Sequence, residues 1–251
     1  MSEVLRLPDA IAACLFDLDG VLTRTAELHA EAWKRTFDAF LSDWAGSGRA
    51  GSRAPFDVAA DYPAYVDGRP REDGVRAFLA SRGVELREGS PADAPSAATV
   101  HGLAARKNRL VNELMAERGV TAYPGSVRFL AAVRGAGLAR ALVTSSENAQ
   151  AVLHAAGLER EFDVAVDGTV ARELQLAGKP APDFFLEAAR RLSVEANRAA
   201  VFEDATAGVA AGRAGGFGLV VGIDRGGRAP ELRAAGADVV VGDLAELIGP
   251  R

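Results

Sequence analysis

The stretch Ile11-Ala12-Ala13-Cys14-Leu15-Phe16-Asp17-Leu18-Asp19-Gly20 joins a continuous apolar run to two aspartates and a glycine. An uninterrupted apolar run is typical of a strand that is buried on both faces, as in parallel sheets. Gly20 can supply a tight turn after it. Because open parallel sheets bind ligands beyond the carboxyl ends of their strands, this stretch predicts a strand over residues 11–16 with Asp17 and Asp19 at its functional end.

The chain after residue 121 repeats a strand-then-helix pattern. Such alternation is typical of βαβ units and a parallel sheet, so the predicted fold class is α/β, with a Rossmann-like parallel sheet that includes the first strand. The predicted strands are 138–144, 162–166, 199–203, 217–223 and 237–241, and the predicted helices are 125–135, 147–156, 182–192, 206–214 and 229–235.

The intervening residues 25–121 show helical periodicity and no clear strand. The elements expected there are a helix after an N-cap at Thr25, a loop at 45–54, a helix at 72–81, a loop at 87–97 and a helix at 99–118. We therefore expect two domains. Residues 1–24 and 122–251 would form the α/β core, and residues 25–121 a helical cap inserted after the first strand.

Bulk composition excludes several functional classes. The 251 residues carry a net charge of −5, which suits neither a nucleic-acid backbone nor an anionic membrane surface. Cys14 is the only cysteine, so no intramolecular disulfide can form, and its apolar surroundings predict a buried thiol. The start Met1-Ser2-Glu3-Val4 has neither a basic region nor a long apolar stretch, and a cytoplasmic location is expected.

Two pairs of acids follow predicted strands. Asp17 and Asp19 follow the first strand, and Glu203 and Asp204 end the strand that begins at Ala199. Either pair alone would be typical of a turn or helix cap. Two pairs at the carboxyl edge of one sheet would repel each other unless a cation lay between them. A site that offers only oxygen ligands, few of them carboxylates, suits Mg²⁺.

Basic and hydroxyl side chains complete the candidate chemistry. Lys179 lies in a proline-stiffened loop, where it is either a solvated lysine or a partner for an anion. Thr144-Ser145-Ser146 precedes a helix, where hydroxyls cap the helix or bind an anion. Lys107 falls on the apolar stripe of its helix, so it either snorkels or faces an anionic ligand. His29 is likewise open to two interpretations, a structural histidine or a functional one.

Taken together, these segments resemble the haloacid dehalogenase superfamily of phosphotransferases, and within it the β-phosphoglucomutase-like subfamily with a helical cap. Phe16-Asp17-Leu18-Asp19-Gly20-Val21 is similar to the first family motif, Thr144 to the second, Lys179 to the third and Glu203-Asp204 to the fourth. The resemblance covers nearly the whole chain, and four motifs in this order are highly specific.

The resemblance implies roles for the core residues. Asp17 would attack phosphorus and become an aspartyl phosphate, while Asp19 would act as general acid and base. Thr144 and Lys179 would hold the transferring phosphoryl group. The implied ligands of Mg²⁺ are Asp17, the Asp19 backbone carbonyl, Glu203 and Asp204.

The resemblance also implies a substrate-binding set and shows two departures. Asp67 and Arg24 replace a lysine and an acid that the subfamily usually carries, and the loops at 45–61 and 87–97 are longer. Arg71 would bind the non-transferring phosphate together with Ser146 and Asn148. The remaining implied substrate-binding residues are Thr25, His29, Trp33, Gly68 and Lys107.

The expected function is phosphoryl transfer on a small phosphorylated sugar, converting β-glucose 1-phosphate to glucose 6-phosphate through a bisphosphate intermediate. A sugar-phosphate phosphatase with the same nucleophile is the first alternative. A non-catalytic sugar-phosphate-binding protein is the second, although pure binding needs no nucleophile. A monomer or weak homo-oligomer is expected, with no nucleic-acid or membrane partner.

Overall fold

The computed structural model describes residues 3–45 and 51–250, which fall into two compact units. The first unit comprises Met1–Arg24 and Val120–Arg251, and the second Thr25–Gly119. That the second unit serves as a cap domain stays a prediction.

The first unit is built on a parallel sheet, which confirms the α/β fold class. Each predicted strand is present, with equal or shorter bounds. The strands are β2 (Ala13–Phe16), β3 (Ala139–Val143), β4 (Val164–Val166), β5 (Ala199–Glu203), β6 (Leu219–Ile223) and β7 (Val239–Val241). Their order in the sheet is β4-β3-β2-β5-β6-β7, and every neighbouring pair is parallel.

A separate antiparallel ribbon joins β1 (Glu3–Leu5) to β8 (Ile248–Pro250). Sequence patterns did not predict it, because Glu3-Val4-Leu5 and Ile248-Gly249-Pro250 lack the continuous apolar run that marks the strands of the parallel sheet.

Helices follow the sheet strands, and the predicted ones are present within about two residues of their expected ends. One further helix, α6, was missed. Its N-cap is Asp167, whose carboxylate accepts hydrogen bonds from the backbone N–H groups of Thr169 and Val170 at 3.0 and 2.9 Å. The helices of this unit are α4 (Pro124–Gly135), α5 (Ala149–Ala156), α6 (Gly168–Glu173), α7 (Asp183–Leu192), α8 (Thr206–Ala214) and α9 (Ala229–Ala235).

The centre of the sheet gives the functional edge a rigid base. Phe16 and Phe202 are fully buried, stack at a centroid distance of 4.7 Å, and directly precede Asp17 and Glu203. Register pairs Phe16 with Phe202, so β2 and β5 end side by side. Cys14 is buried as predicted, and that burial raises the pKa of its thiol to about 12.

The second unit is helical, with α1 (Ala26–Ala45), a π-helix (Tyr62–Val66), α2 (Arg71–Ser81) and α3 (Val100–Arg118). Its core is an aromatic cluster in which the ring centroids of Phe37 and Phe78 lie 4.0 Å apart. Helix α3 begins after Thr99, whose hydroxyl accepts from the Gly102 N–H at 3.0 Å.

Two loops of the second unit were also predicted. The part of the 45–54 loop at 46–50 lies outside the described residues, and 51–54 and 87–97 form neither helix nor strand. None of the helices in the described ranges has the length and apolar character that crossing a membrane requires.

Candidate active site

Three carboxylates from two strand ends meet at the carboxyl edge of the sheet. Asp17 follows β2, and its backbone N–H donates to the Phe202 carbonyl of β5 at 3.0 Å. Carboxylate oxygens of Asp17, Glu203 and Asp204 lie within 4.8 Å of one another. Glu203 is fully buried, Asp17 is buried and Asp204 is half-buried. The structure therefore brings together acids that are far apart in the chain.

Lys179 lies among these acids. Its ammonium donates to Asp17 Oδ1 at 2.7 Å, Glu203 Oε1 at 2.5 Å and the Val143 carbonyl at 3.3 Å. Burial alone would lower the pKa of Lys179, but the charges of Asp17 and Glu203 and the hydrogen bonds to both raise it above its ordinary value. Lys179 therefore stays charged, and its positive charge lies against the carboxyl groups of Asp17 and Glu203.

The loop that carries Lys179 does not follow a strand directly. Helix α6 separates this loop from β4, and the loop leads from α6 into α7. The helix was missed because its six residues span fewer than two turns, too few for a clear 3.6-residue period.

The environment of Glu203 fits a bound cation. Burial first, and then the nearby charge of Asp17, raise the pKa of Glu203 to about 7, against the lowering effect of Lys179. Three acids with one lysine leave negative charge that a divalent ion would balance, and an all-oxygen set suits Mg²⁺. Asp17, Glu203 and Asp204 therefore fit this ion on the chemistry of their donors.

Glycines make room for two of these carboxylates. A Cβ at Gly20 would lie 1.8 Å from Asp204 Oδ2, and a Cβ at Gly208 would lie 1.8 Å from Glu203 Oε1. Gly20 also has a φ of +86°, which other residues rarely adopt. Any side chain at either position would displace a carboxylate.

Asp19 lies in the loop after β2, and its carboxylate is outside the three-acid cluster described above. The loop is closed by hydrogen bonds from the Thr23 N–H and hydroxyl to the Leu18 carbonyl, at 3.0 and 3.2 Å. Asp19 itself is half-buried and pairs with Thr23 in an isolated β-bridge. The backbone of Asp19 is thus fixed in the short loop that directly follows Asp17.

The segment after β3 presents hydroxyls and N–H groups at the same edge. Thr144 is buried, its N–H donates to the Val166 carbonyl at 3.0 Å, and its hydroxyl accepts from the Ser146 N–H at 3.1 Å. The Ser146 hydroxyl accepts from the Asn148 N–H at 3.2 Å. Helix α5 begins at Ala149, so Asn148 is its N-cap residue rather than a helical one.

In the second unit, Lys107 lies on the inner face of α3. It is 2% exposed, its Nζ lies 2.8 Å from His29 Nδ1, and it lies over the Trp33 ring at 5.1 Å from the centroid. Burial, followed by the charges of Lys107 and Arg71, lowers the pKa of His29 well below 6.5. The imidazole is therefore neutral, and its Nδ1 accepts a hydrogen bond from the ammonium.

The other predicted binding residues of this unit lie at the starts of its elements. Arg71 begins α2, and burial lowers the pKa of its guanidinium against the raising effect of Glu72. Thr25 is buried, and its carbonyl accepts from the His29 N–H at 3.0 Å. Gly68, with a φ of +72°, turns the chain between the π-helix and α2, directly after the buried Asp67.

Sequence reasoning missed Arg225, which follows β6. Its Nε donates to the Gly20 carbonyl at 3.1 Å, so it contacts the loop that carries Asp19. No motif or periodic pattern marks this residue, and only the folded chain brings it there.

A parallel sheet with clustered acids and a buried lysine at its carboxyl edge defines the class of α/β enzymes that act on small ligands at that edge. The family model for haloacid dehalogenase-like hydrolases matches residues 11–216. The chain belongs to this family and is one of its enzymes.

Relatives of known name are similar over nearly their full length. The chain is 56% identical to the β-phosphoglucomutase of Mycobacterium bovis, over 98% of this chain and 95% of the relative. The crystal structure of β-phosphoglucomutase from Clostridium difficile has a TM-score of 0.72 at 26% identity, over 94% and 93% of the two chains. A variant of CbbY from Rhodobacter sphaeroides in complex with xylulose-(1,5)bisphosphate has a TM-score of 0.69 at 27% identity, over 94% and 96%.

Proposed function

We propose that this protein is a magnesium-dependent phosphotransferase that converts β-glucose 1-phosphate to glucose 6-phosphate through a phosphorylated Asp17. The observation that carries the proposal is the position of Asp17, which is buried at a strand end against Lys179 and beside Glu203 and Asp204. The name of the M. bovis relative supports the choice of substrate.

The first chemical step would use Asp17 and Asp19 together. A carboxylate oxygen of Asp17 forms a bond to phosphorus while the bond between phosphorus and the donor sugar oxygen breaks. Asp19 gives a proton to that leaving oxygen. The product is an aspartyl phosphate and a free sugar hydroxyl.

The second step would reverse these roles. Asp19 takes a proton from the acceptor hydroxyl, whose oxygen bonds to phosphorus as the bond to Asp17 breaks. A bisphosphate that turns over in the site exposes either of its phosphates to Asp17, so one enzyme moves the phosphate between two sugar oxygens.

Charge at phosphorus would be stabilised by the groups around Asp17. Asp17, the Asp19 backbone carbonyl, Glu203 and Asp204 would hold Mg²⁺, which neutralises the charge that builds up on the phosphoryl oxygens. Lys179 and Thr144 would hold the same oxygens. Support comes from the ammonium of Lys179, which contacts Asp17 directly.

Binding of the sugar and its second phosphate would fall to other residues. We assign the non-transferring phosphate to Arg71, Ser146 and Asn148, because a guanidinium and helix N-terminal N–H groups both suit phosphate. The positive charge that Lys107 and Arg71 exert on His29 supports an anionic ligand in the second unit. The residues assigned to the sugar are Thr25, His29, Trp33, Gly68 and Lys107.

The test is an assay with magnesium, a glucose bisphosphate primer and a panel of hexose 1-phosphates. Glucose 6-phosphate and inorganic phosphate are measured in the same samples. We expect glucose 6-phosphate from the wild type and none from Asp17→Asn, with Asp163→Asn as the matched acid control that keeps full activity. Turnover that survives Asp17→Asn would refute the proposal.

Phosphate release to water is the second candidate function. Two observations favour it: the family model describes hydrolases, and the chain carries the acid Asp67 beside Gly68 where the mutase subfamily usually has a lysine. The same aspartyl phosphate would then be attacked by water in place of a sugar hydroxyl. Inorganic phosphate without glucose 6-phosphate in the same assay would establish this alternative.

The cytoplasmic location and the monomeric or weakly associated state stay predictions. Light scattering of the purified protein across a concentration series would determine the second.

A further inference from the structure

The loop that carries Asp19 is held at Gly20 from both sides. The Gly20 N–H donates to the Thr23 carbonyl at 2.8 Å, and the Gly20 carbonyl accepts from Arg225 Nε at 3.1 Å. Gly20 has a φ of +86°, and glycine is the residue with the largest backbone freedom to lose. An external contact at this point therefore restricts the backbone next to Asp19 more than it would elsewhere.

Arg225 is itself held by two further acceptors. Its Nη1 donates to the Gly242 carbonyl at 2.8 Å and to Asp243 Oδ2 at 3.0 Å. The guanidinium fork thus spans from the loop after β7 to the loop after β2. A planar fork with separate donors can hold two partners in a fixed relation, which a lysine cannot do.

An aromatic ring supports the guanidinium plane. Arg225 lies over the Tyr123 ring with its Cζ 3.7 Å from the centroid, and Arg24 contacts the same ring at 4.8 Å. Tyr123 and Arg24 belong to a short ladder in which the Tyr123 N–H donates to the Leu22 carbonyl at 2.9 Å. Arg24 is one of the two departures from the subfamily pattern, and this stack is where its side chain lies.

Asp243 is a fixed anchor for this arrangement. Its Oδ1 accepts from the Ala245 N–H at 2.8 Å, and Glu246 completes a capping box with it. A Cβ at Gly125 would lie 1.6 Å from Asp243 Oδ1, so the start of α4 packs directly on this carboxylate. These contacts hold the carboxylate, which in turn holds Arg225.

We propose that Arg225 is a positioning residue for Asp19: through the Gly20 carbonyl it aligns the loop so that Asp19 can transfer its proton to and from the sugar oxygen. This inference rests on the proposed function. A displacement of about 1 Å at a reacting group can cost roughly 100-fold in rate. The stack with Tyr123 and Arg24 and the ion pair with Asp243 keep the guanidinium in the orientation that the Gly20 carbonyl needs.

Two phosphoryl donors distinguish a loss of Asp19 alignment from a general disturbance of the active site. When a sugar bisphosphate phosphorylates Asp17, the leaving group is the alkoxide of the sugar monophosphate, which needs the proton of Asp19. When acetyl phosphate does so, the leaving group is acetate, which needs no proton. Single-turnover phosphorylation is measured for both donors in the wild type, Arg225→Gln, Arg225→Lys and the control Arg213→Gln, an exposed arginine paired with Asp238.

We expect Arg225→Gln to slow phosphorylation by glucose 1,6-bisphosphate by about 10- to 100-fold, with the acetyl phosphate rate changed less than about 3-fold. Arg225→Lys should recover part of the loss, since one ammonium can bond to the Gly20 carbonyl but cannot keep the full fork. Arg213→Gln should match the wild type with both donors.

Equal losses with both donors, or no loss with either, would overturn this inference while leaving the proposed function intact. Failure of both donors to phosphorylate the wild type at Asp17 would overturn the proposed function, and the inference with it. Melting temperatures of all four proteins are recorded, and a variant that melts early is assayed at a temperature where it is fully folded.

Discussion

Two buried lysines, Lys179 in the first unit and Lys107 in the second, have equal exposure and opposite surroundings. Both are 2% exposed. Lys179 contacts two carboxylates, whereas Lys107 contacts the neutral imidazole of His29 and the Trp33 ring. The first lysine balances anions that the protein itself supplies. The second lies beside a neutral imidazole and an aromatic ring.

The largest expected effect is on stability and comes from removing the first lysine. Lys179→Met leaves Asp17 and Glu203 buried without their cation, and breaking a buried ion pair on one side costs roughly 3–5 kcal/mol. Lys107→Met removes the hydrogen bond to His29, but it also removes the cost of burying an ammonium, so it should cost less than about 1.5 kcal/mol. Urea unfolding in the absence of magnesium measures both free energies.

A double variant sharpens this first prediction. Adding Glu203→Gln to Lys179→Met removes one of the stranded charges and should restore part of the lost stability, because the two residues are in direct contact. Equal losses for the two single lysine variants would show that the two environments do not differ in the way described.

Magnesium should stabilise the folded protein, since ligands that bind the native state shift the unfolding equilibrium. At 100 times its dissociation constant the ion would add about 2.7 kcal/mol. Thermal unfolding with excess magnesium or with EDTA measures the difference. Asp204→Asn should remove most of it, while Asp163→Asn, at an exposed acid outside the cluster, should keep it. If the melting temperature of the wild type did not change with magnesium, that result would contradict the assigned magnesium site.

Removal of the second lysine should affect catalysis more than stability. Lys107→Met is expected to lower kcat/KM by about 10- to 100-fold, because a hydrogen bond from a charged group to substrate contributes roughly 1.5–3 kcal/mol. Lys34→Met is the matched control, a more exposed lysine of the same unit that is paired with Asp38. Full activity of Lys107→Met would remove this residue from the substrate-binding set.

The smallest expected effect is a pH dependence that belongs to His29. Its pKa in the folded protein lies well below the 6.5 of the unfolded chain, so the unfolded state binds the extra proton first as the pH falls. Stability from this group is complete above pH 6.5 and declines below it, by about 1 kcal/mol between pH 6.5 and 5.5. Urea unfolding at these two pH values measures the decline.

His29→Gln should make that decline smaller, and the control His154→Gln, at an exposed histidine, should not. An unchanged slope in His29→Gln would mean that its imidazole is not held neutral by its surroundings.

The two lysines also show how far sequence patterns reach. Lys179 was placed among the acids through a family motif, and Lys107 was marked by its position on an apolar stripe. The stripe left two interpretations open, snorkelling or an inward contact, because periodicity gives the face of a helix and not what lies opposite. The contact with His29, 78 residues away, required the packed helices.

The strands of the parallel sheet were predictable, whereas the ribbon and the helix α6 were not. Strands β2 to β7 are mostly apolar in sequence, since strands that are covered on both faces favour apolar residues. The ribbon of β1 and β8 and the helix α6 lack that signal. The ribbon strands contain Glu3, Gly249 and Pro250 in place of a continuous apolar run, and α6 spans fewer than two turns.

The sequence by itself determined the α/β class, the order of β2 to β7 along the chain and the acids at the ends of β2 and β5, because burial demands local patterns that can be read residue by residue. Only the tertiary structure decided that Asp17, Lys179 and Glu203 touch, that His29 is neutral beside Lys107, and that Arg225 holds the Gly20 carbonyl. These facts depend on strand register and on contacts between segments up to 205 residues apart, which no local pattern encodes.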